Sequence, residues 1–351
     1  MSRHRVHLIG SDSWIDVASG ETVLHAARRQ DRALPYSCLS GRCGSCRGHL
    51  IAGQVSYPYN PPQALSPDEL RAGEVLLCQA VPQSDLEVAI REVDAIRGIP
   101  LRQLDLRVAG MAQLAEDVMG LSLLPHEQAP LAYLPGQYLD VLLASGRRRA
   151  FSIANAPRSD GMIELHVRRV SGGGFTEQVF SDLRPGDILR VEGPLGTFVA
   201  RADSDRPLLL VAGGTGFAPI KAIVERWLEQ PPARRVQLYW GARVATDLYL
   251  ESAVARWANE HPWFGYQAVL SEQSPDDTRY RGGLVHQAVL EDHPDLASFD
   301  LYMSGPPALI EAGRHAFVDA GLPADRLYYD SFDYAPDVLA SLIRARQGAN
   351  P

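Results

Sequence analysis

Tyr36-Ser37-Cys38-Leu39-Ser40-Gly41-Arg42-Cys43-Gly44-Ser45-Cys46-Arg47-Gly48 gathers three of the four cysteines of this 351-residue chain into one loop, spaced C-x4-C-x2-C. The fourth stands apart, in Leu76-Leu77-Cys78-Gln79. Three close thiols and one distant thiol in this spacing match a four-thiolate [2Fe–2S] centre, with Cys38, Cys43, Cys46 and Cys78 as its ligands. Such a loop must wrap tightly, and Gly41 and Gly44 permit the φ angles that wrapping needs. Backbone N–H groups of the loop can then point at the sulfurs and stabilise an anionic cluster. Two other readings compete. Disulfides are disfavoured in a chain whose start, Met1 to Gly10, shows no apolar export signal. A zinc site more often shows two C-x2-C pairs.

The flanks suit a small sheet around this loop. Arg5 to Ile9 and Trp14 to Val17 alternate as strands about a Gly-Ser-Asp turn. Glu21 to Gln30 carries Val23, Leu24 and Ala27 at helical spacing. Ser66-Pro67-Asp68-Glu69 reads as an N-cap, a proline at the first helical position and a capping glutamate. With these elements in place, residues 1–97 resemble a plant-type ferredoxin domain, which implies a β-grasp fold.

Composition limits what the whole chain can be. Apolar residues make up 46% and charged residues 22%, which excludes a disordered or fibrous chain. The net charge is -8 and no basic run occurs, so no nucleic-acid partner is expected. The longest apolar runs, such as Leu208 to Ala212, are far too short to span a bilayer. The expectation is a soluble, cytoplasmic protein with no membrane partner.

Beyond Leu101 the pattern changes to regular strands separated by Gly and Pro turns, the signature of a β-barrel. Pro135-Gly136-Gln137-Tyr138 opens a strand through Leu143, and Arg147 to Arg149 lead into Ala150-Phe151-Ser152-Ile153-Ala154-Asn155. Ile163 to Val170 follows, then Gly172-Gly173-Gly174 before the helix-like Phe175-Thr176-Glu177, and Glu192 to Thr197 closes the run. A helix start beside arginines is a natural pyrophosphate site, although Arg147 to Arg149 read equally as a solvated hairpin tip. The third segment begins with Leu208 to Ala212, a buried parallel strand by its unbroken apolar run. Gly213-Gly214-Thr215-Gly216 turns it into a helix bearing Ile220, Ile223, Val224 and Trp227, a cradle for a nucleotide phosphate. Further strands, Val236 to Trp240 and Phe299 to Met303, end at Gly241-Ala242-Arg243 and Ser304-Gly305-Pro306-Pro307. Alternating strands and helices imply a doubly wound α/β domain with its ligand at the carboxyl ends of the strands.

These segments resemble the ferredoxin–NADP reductase superfamily. Arg149-Ala150-Phe151-Ser152 is similar to its R-x-[YF]-S motif, and Gly173-Gly174-Phe175-Thr176 to its G-x-x-[ST] motif. Gly213 to Gly216 is similar to its nicotinamide pyrophosphate loop, and Ser304 to Pro307 to its Cys-Gly-Pro-Pro turn, with serine in place of cysteine. The resemblance implies FAD as flavin, with Arg149, Gly173, Gly174 and Thr176 at its pyrophosphate, and Phe151, Ser152 and Ile153 at its ring. Phenylalanine replaces the commoner tyrosine, and stacking needs only the ring. His166, Val167 and Arg168 are expected beside the flavin, and Ser152 is expected to hydrogen-bond near the reacting ring atom. Gly214, Thr215, Gly216, Gly305 and Pro306 are expected to hold NADH or NADPH. Arg243 bears on the choice, because an arginine there accommodates a 2′-phosphate yet also occurs in NADH users, and NADH is expected. Phe332 resembles a C-terminal aromatic that shields the flavin, and reads equally as a core residue of the last strand.

The expected fold class is therefore α+β and multi-domain. A β-grasp ferredoxin domain (1–97) precedes a flavin-binding β-barrel (98–202) and a doubly wound nicotinamide-binding domain (203–351), with joints at Gly98 to Pro100 and Asp203 to Pro207. No internal repeat occurs, and a polar tail follows Ala345. The order resembles reductase components of Rieske non-haem iron oxygenases, of the terephthalate dioxygenase reductase type, and CDP-6-deoxy-glucoseen reductases. It implies an NAD(P)H-dependent reductase passing electrons through FAD and the cluster to an oxygenase of aromatic catabolism. Two alternatives stand: the reductase partner of a deoxysugar 3-dehydrase, and a redox sensor that uses the cluster as a switch.

Overall fold

The computed structural model describes residues 3–127, 129–201, 204–273 and 278–332. The chain divides into two compact units, Met1–Ile99 with Gly196–Phe198, and Pro100–Leu195 with Val199–Pro351.

In the first unit, β1 (Arg3–Leu8) and β2 (Ser13–Ala18) form an antiparallel hairpin, paired from Arg3 with Ala18 to Leu8 with Ser13. Thr22 caps α1 (Val23–Arg29) by accepting the His25 N–H, and Val23, Leu24, Ala26 and Ala27 bury its inner face. The cysteine loop follows and leads into β3 (Arg47–Ala52) and β4 (Val55–Ser56). Next come α2 (Pro67–Arg71), β5 (Glu74–Leu76), β6 (Val81–Pro82) and β7 (Leu86–Ala89). Ser66 and Glu69 close a reciprocal capping box at the start of α2, with Pro67 in its first turn. The main sheet runs β2-β1-β7-β3-β5, with the parallel β1–β7 pair at its centre, and the buried face of α1 joins the same core as Val6, Leu8 and Val88 of that pair. That is a β-grasp.

The second unit opens with the long hairpin of β8 (Arg102–Ala115) and β9 (Val118–Pro125). It continues with β10 (Tyr138–Leu142), β11 (Arg148–Ser152), β12 (Ile163–Arg168), α3 (Phe175–Ser181) and β13 (Ile188–Leu195). The antiparallel order β11-β10-β13-β8-β9-β12 returns on itself through the Ile153–Leu165 bridge, so the sheet closes into a barrel. Leu106, Val108, Leu121, Leu139, Val167 and Val191 fill it.

Within the same unit, β14 (Leu208–Gly213) and α4 (Phe217–Glu229) begin an α/β layer. Then follow β15 (Val236–Ala242), α5 (Glu251–Glu260), β16 (Phe264–Leu270), β17 (Arg281–Gly282) and α6 (Val285–Asp292). The layer ends with β18 (Asp300–Gly305), α7 (Pro307–Asp319) and β19 (Leu327–Ser331). The wholly parallel order β17-β16-β15-β14-β18-β19 reverses direction between β14 and β18. The carboxyl ends there, Gly213 and Gly305, mark the crevice where such sheets take a ligand.

Sequence spacing gives α4 one apolar face. The structure buries every residue from Phe217 to Val224, Lys221 included. The reason is that this half of the helix packs on its own sheet and also meets barrel residues Ala154 and Glu164. Of the expected joint at Asp203 to Pro207, Asp203 lies outside the described residues, as do the boundary residue Ala202 and the polar tail after Ala345.

Candidate functional site

The cysteine loop is built as an anion nest. The backbone N–H groups of Ser40 and Cys43 donate to Cys38 Sγ at 3.4 and 3.3 Å. Those of Cys38 and Ser45 donate to Cys43 Sγ at 3.5 and 3.4 Å. Gly41 and Gly44 adopt φ of 78° and 82°, which lets the chain present these donors inward. Cys43, Cys46 and Cys78 are buried and Cys38 is partly so, and all four are free thiols.

The thiols pair off. A hydrogen bond with Cys43, helped by Ser40, draws Cys38 below the ordinary thiol range and pushes Cys43 up. Cys46 and Cys78 share a second hydrogen bond that lowers Cys78 and raises Cys46. Among the described residues no three His, Cys, Asp or Glu side chains converge as one metal ion requires. Four thiols, with loop amides donating to the sulfurs of Cys38 and Cys43, are a donor set that suits a four-thiolate iron–sulfur centre.

In the barrel, β11 carries Arg149 and Ser152, both buried, and Phe151, which lies 5.6 Å from the ring of Phe175 at the start of α3. Arg149 Nη1 donates to the Arg148 carbonyl at 2.9 Å. Ile153 lies in the core at the bridge that closes the barrel. The Thr176 hydroxyl is engaged locally: it accepts from the Val170 N–H at 3.1 Å and donates to the Val170 carbonyl at 3.3 Å. It thus latches the Gly172–Gly174 turn, and a Cβ on Gly173 would collide with that hydroxyl. Open space lies beyond Gly174, ahead of α3. A buried guanidinium on one strand and a helix start opening on free space are donor chemistry that suits a dinucleotide pyrophosphate.

On β12 the side chains alternate. Val167 points into the barrel core, whereas His166 and Arg168 face the α/β layer. Gly214 holds φ of +54°, and a Cβ on it would lie 2.9 Å from Arg168 Nη1, so Arg168 reaches the glycine loop. Arg168 Nε is 3.2 Å from Asp117 Oδ2, while its buried Nη2 has no hydrogen-bond partner among the described residues. A guanidinium nitrogen directed at such a loop suits a phosphate. The Trp240 indole N–H fixes the loop from the other side, donating to the Gly214 carbonyl at 3.0 Å.

Phe332 lies one residue past β19 and is partly buried, its N–H donating to the Gly305 carbonyl at 2.9 Å. Gly305 and Pro306 are thereby placed with Phe332 at the end of β18. Ser304, just before them, is fully buried, and its hydroxyl has no partner among the described residues. Arg243, exposed at the end of β15, forms an ion pair with Asp247 at 3.5 Å.

Sequence reading missed a buried network joining the barrel to the α/β layer. Lys221 Nζ contacts Glu164 Oε2 at 2.8 Å, Glu225 Oε1 at 2.7 Å and the Ala154 carbonyl at 2.9 Å. Glu225 accepts the Ala156 N–H at 3.1 Å. Burial opposes the Glu164 carboxylate, but His166 and Lys221 outweigh it and hold it down to about 2. Burial also lowers His166, which is therefore neutral near pH 7. A carboxylate only accepts, so His166 Nε2 donates to Glu164 at 2.8 Å and Nδ1 accepts from the Tyr249 hydroxyl at 3.0 Å. The one signal available in the sequence was a lysine set inside the apolar run Phe217 to Val224.

The barrel, the doubly wound layer and the thiolate nest together define an iron–sulfur flavoprotein of the pyridine-nucleotide reductase class. Comparison with known proteins bears this out. A 2Fe-2S iron-sulfur cluster binding domain matches residues 6–83, an oxidoreductase FAD-binding domain residues 105–199, and an oxidoreductase NAD-binding domain residues 210–315. A CDP-6-deoxy-L-threo-D-glycero-4-hexulose-3-dehydrase reductase of Yersinia pestis is 39% identical over 313 residues, 89% of this chain and 93% of that one. The reductase subunit of an aromatic O-demethylase of Amycolatopsis is 39% identical over 324 residues, 91% of this chain and 96% of that one. The crystal structure of an Amycolatopsis cytochrome P450 reductase superposes with a TM-score of 0.73 at 37% identity, covering 94% of this chain and 98% of that one. The chain belongs to this family of NAD(P)H-dependent [2Fe–2S] flavoprotein reductases, and its cofactors are FAD, a [2Fe–2S] cluster and the nicotinamide nucleotide. Among the described residues no helix is long and apolar enough to cross a membrane.

Proposed function

We propose that this chain draws electrons from NADH and delivers them singly to a terminal oxygenase of aromatic catabolism, in the cytoplasm. The observation that carries this reading is the match along almost the full length of an aromatic O-demethylase reductase subunit, with all three cofactor modules in one chain. The flavin, when bound, converts a two-electron hydride donor into single electrons for the cluster. The chain's own residues position and bind. Cys38, Cys43, Cys46 and Cys78 hold the irons, with the loop amides donating to their sulfurs. Arg149 and the turn at Gly173, Gly174 and Thr176 receive the FAD pyrophosphate. Phe151 and Ser152 stand beside its ring, where the Ser152 hydroxyl supplies a hydrogen bond, while Ile153 and Val167 back them from the barrel core and His166 is held by Glu164 and Tyr249. Gly214, Thr215, Gly216 and Arg168 receive the nicotinamide pyrophosphate, and Gly305, Pro306 and Phe332 border the crevice. NADH is the preferred donor, because Arg243 already faces the Asp247 carboxylate, a poor neighbour for a 2′-phosphate. The three modules span 1–97, 98–202 and 203–351.

An anaerobic titration with NADH and then NADPH, followed by visible absorption and EPR, tests the electron path. Flavin bleaching by NADH followed by a reduced [2Fe–2S] signal is expected, and a cluster that stays silent would sink the reading. A second reading, electron supply to a deoxysugar 3-dehydrase, has support in the equally similar Yersinia relative. NADH-driven turnover offered to an aromatic oxygenase and to such a dehydrase separates the two. Turnover with the dehydrase alone would replace the first reading by the second.

A further inference from the structure

Gln79 follows the last cysteine, and its side chain is buried at 4% exposure. Its Nε2 donates to the Leu39 carbonyl at 2.8 Å and lies 3.8 Å from Cys78 Sγ, within reach of a hydrogen bond to sulfur. Its Oε1 accepts from Asn60 Nδ2 at 3.2 Å. These partners fix the amide's orientation, since a carbonyl oxygen cannot face the Leu39 carbonyl and Asn60 offers a donor to the other end. The aliphatic stem packs on the tightest turn of the cysteine loop, where a Cβ on Gly41 would come within 3.0 Å of Gln79 Cγ. One side chain therefore touches both the loop bearing Cys38 and Cys43 and the sulfur of Cys78.

We propose that Gln79 sets the reduction potential of the [2Fe–2S] centre, by donating its amide N–H to Cys78 Sγ while Leu39 and Asn60 hold that amide in place. This rests on the cluster-binding reading of the four cysteines. The physical argument is electrostatic. Reduction adds one negative charge, shared with the thiolate sulfurs, and a donor aimed at a sulfur stabilises the reduced form more than the oxidised form. In a buried site that difference is large, because no water replaces the lost donor. Gln79 accordingly raises the potential and makes the cluster an easier acceptor of electrons.

The test is an EPR-monitored potentiometric titration of the loaded full-length protein, with the flavin midpoint recorded in the same samples. Gln79→Leu removes the donor at nearly constant volume. The expected result is a more negative cluster midpoint, with the reduced-to-oxidised ratio at the wild-type midpoint falling roughly tenfold, a shift of about 59 mV for a one-electron couple. The flavin midpoint stays where it was. Asn60→Ala, at an exposed position, frees the amide without deleting it and gives a smaller shift of the same sign. Gln79→Glu replaces the donor by a charged acceptor and shifts the midpoint further. An unmoved cluster midpoint in loaded Gln79→Leu would overturn the proposal. If Gln79→Leu does not take up the cluster, unmoved midpoints in Gln79→Glu and Asn60→Ala would overturn it equally. A wild-type protein with no [2Fe–2S] signal would remove the cluster reading itself, an outcome distinct from a loaded protein whose variants do not shift.

Discussion

At the level of single residues, the chemistry is concentrated where the sequence was easiest to read. Four cysteines in one spacing pattern identified a metal centre, because sulfur ligation leaves few alternatives once the gaps between thiols are known. Cys78 carries the sharpest consequence. It is far in sequence from the other three, yet it shares a hydrogen bond with Cys46. Cys78→Ser is expected to abolish the reduced [2Fe–2S] EPR signal while NADH still bleaches the flavin at near the wild-type rate. A full cluster signal in that variant would show that the fourth ligand lies elsewhere. Thr176 was harder to read. Motif resemblance placed it at a phosphate, and its position at the start of α3 suits that, but the hydroxyl itself is occupied by both polar groups of Val170. Its contribution is to shape the Gly172–Gly174 turn that precedes α3.

Among the elements, those with a strong period or a cap were legible. The unbroken apolar run of β14, the capping box of α2 and the alternation of β1 and β2 each follow from local rules. What local rules cannot show is a polar contact between elements distant in sequence. Glu164 on β12, Lys221 and Glu225 on α4, and Tyr249 before α5 have no mutual spacing to betray them, and only the packing of a buried helix against a barrel brings them together. Lys221→Met leaves two carboxylates facing each other in a poorly solvated seam. The cost is expected near the lower end of the ~3–5 kcal/mol of a broken buried pair, since both carboxylates keep about a quarter of their surface exposed. Urea unfolding measures it. The network also has a pH signature. Glu164 is held at about 2 against an ordinary 4.5, so its stabilisation is complete above pH 4.5 and is lost as the pH falls toward 2. Thermal unfolding across that window should fall more steeply for the wild type than for Glu164→Gln, and parallel curves would show that this carboxylate is not held as described.

At the scale of the molecule, the order of the three cofactor modules could be read from motifs alone, because each module carries its own signature in its own stretch of chain. The compact units do not follow that order. The barrel and the α/β layer form one unit, and Gly196–Phe198, which immediately follow barrel strand β13, group with the ferredoxin fold. Thr197 explains why. Its hydroxyl accepts the Tyr36 N–H at 2.8 Å and donates to the Tyr36 carbonyl at 3.0 Å, and its own N–H donates to that carbonyl at 3.2 Å. Thr197→Val strands the buried Tyr36 N–H at a cost of about 1–3 kcal/mol. Heating followed at the cluster's visible absorption should show bleaching at a lower temperature than in the wild type, and an unchanged bleaching temperature would make this contact dispensable. Tyr36 stands two residues before Cys38, so the peptide that leads into the cluster loop is anchored by a threonine encoded 161 positions downstream. The ferredoxin fold is consequently not a transplantable cassette. A chimera that exchanges residues 1–99 for another ferredoxin inherits this Thr197, and will assemble its cluster well only where the incoming chain offers a free peptide opposite that hydroxyl.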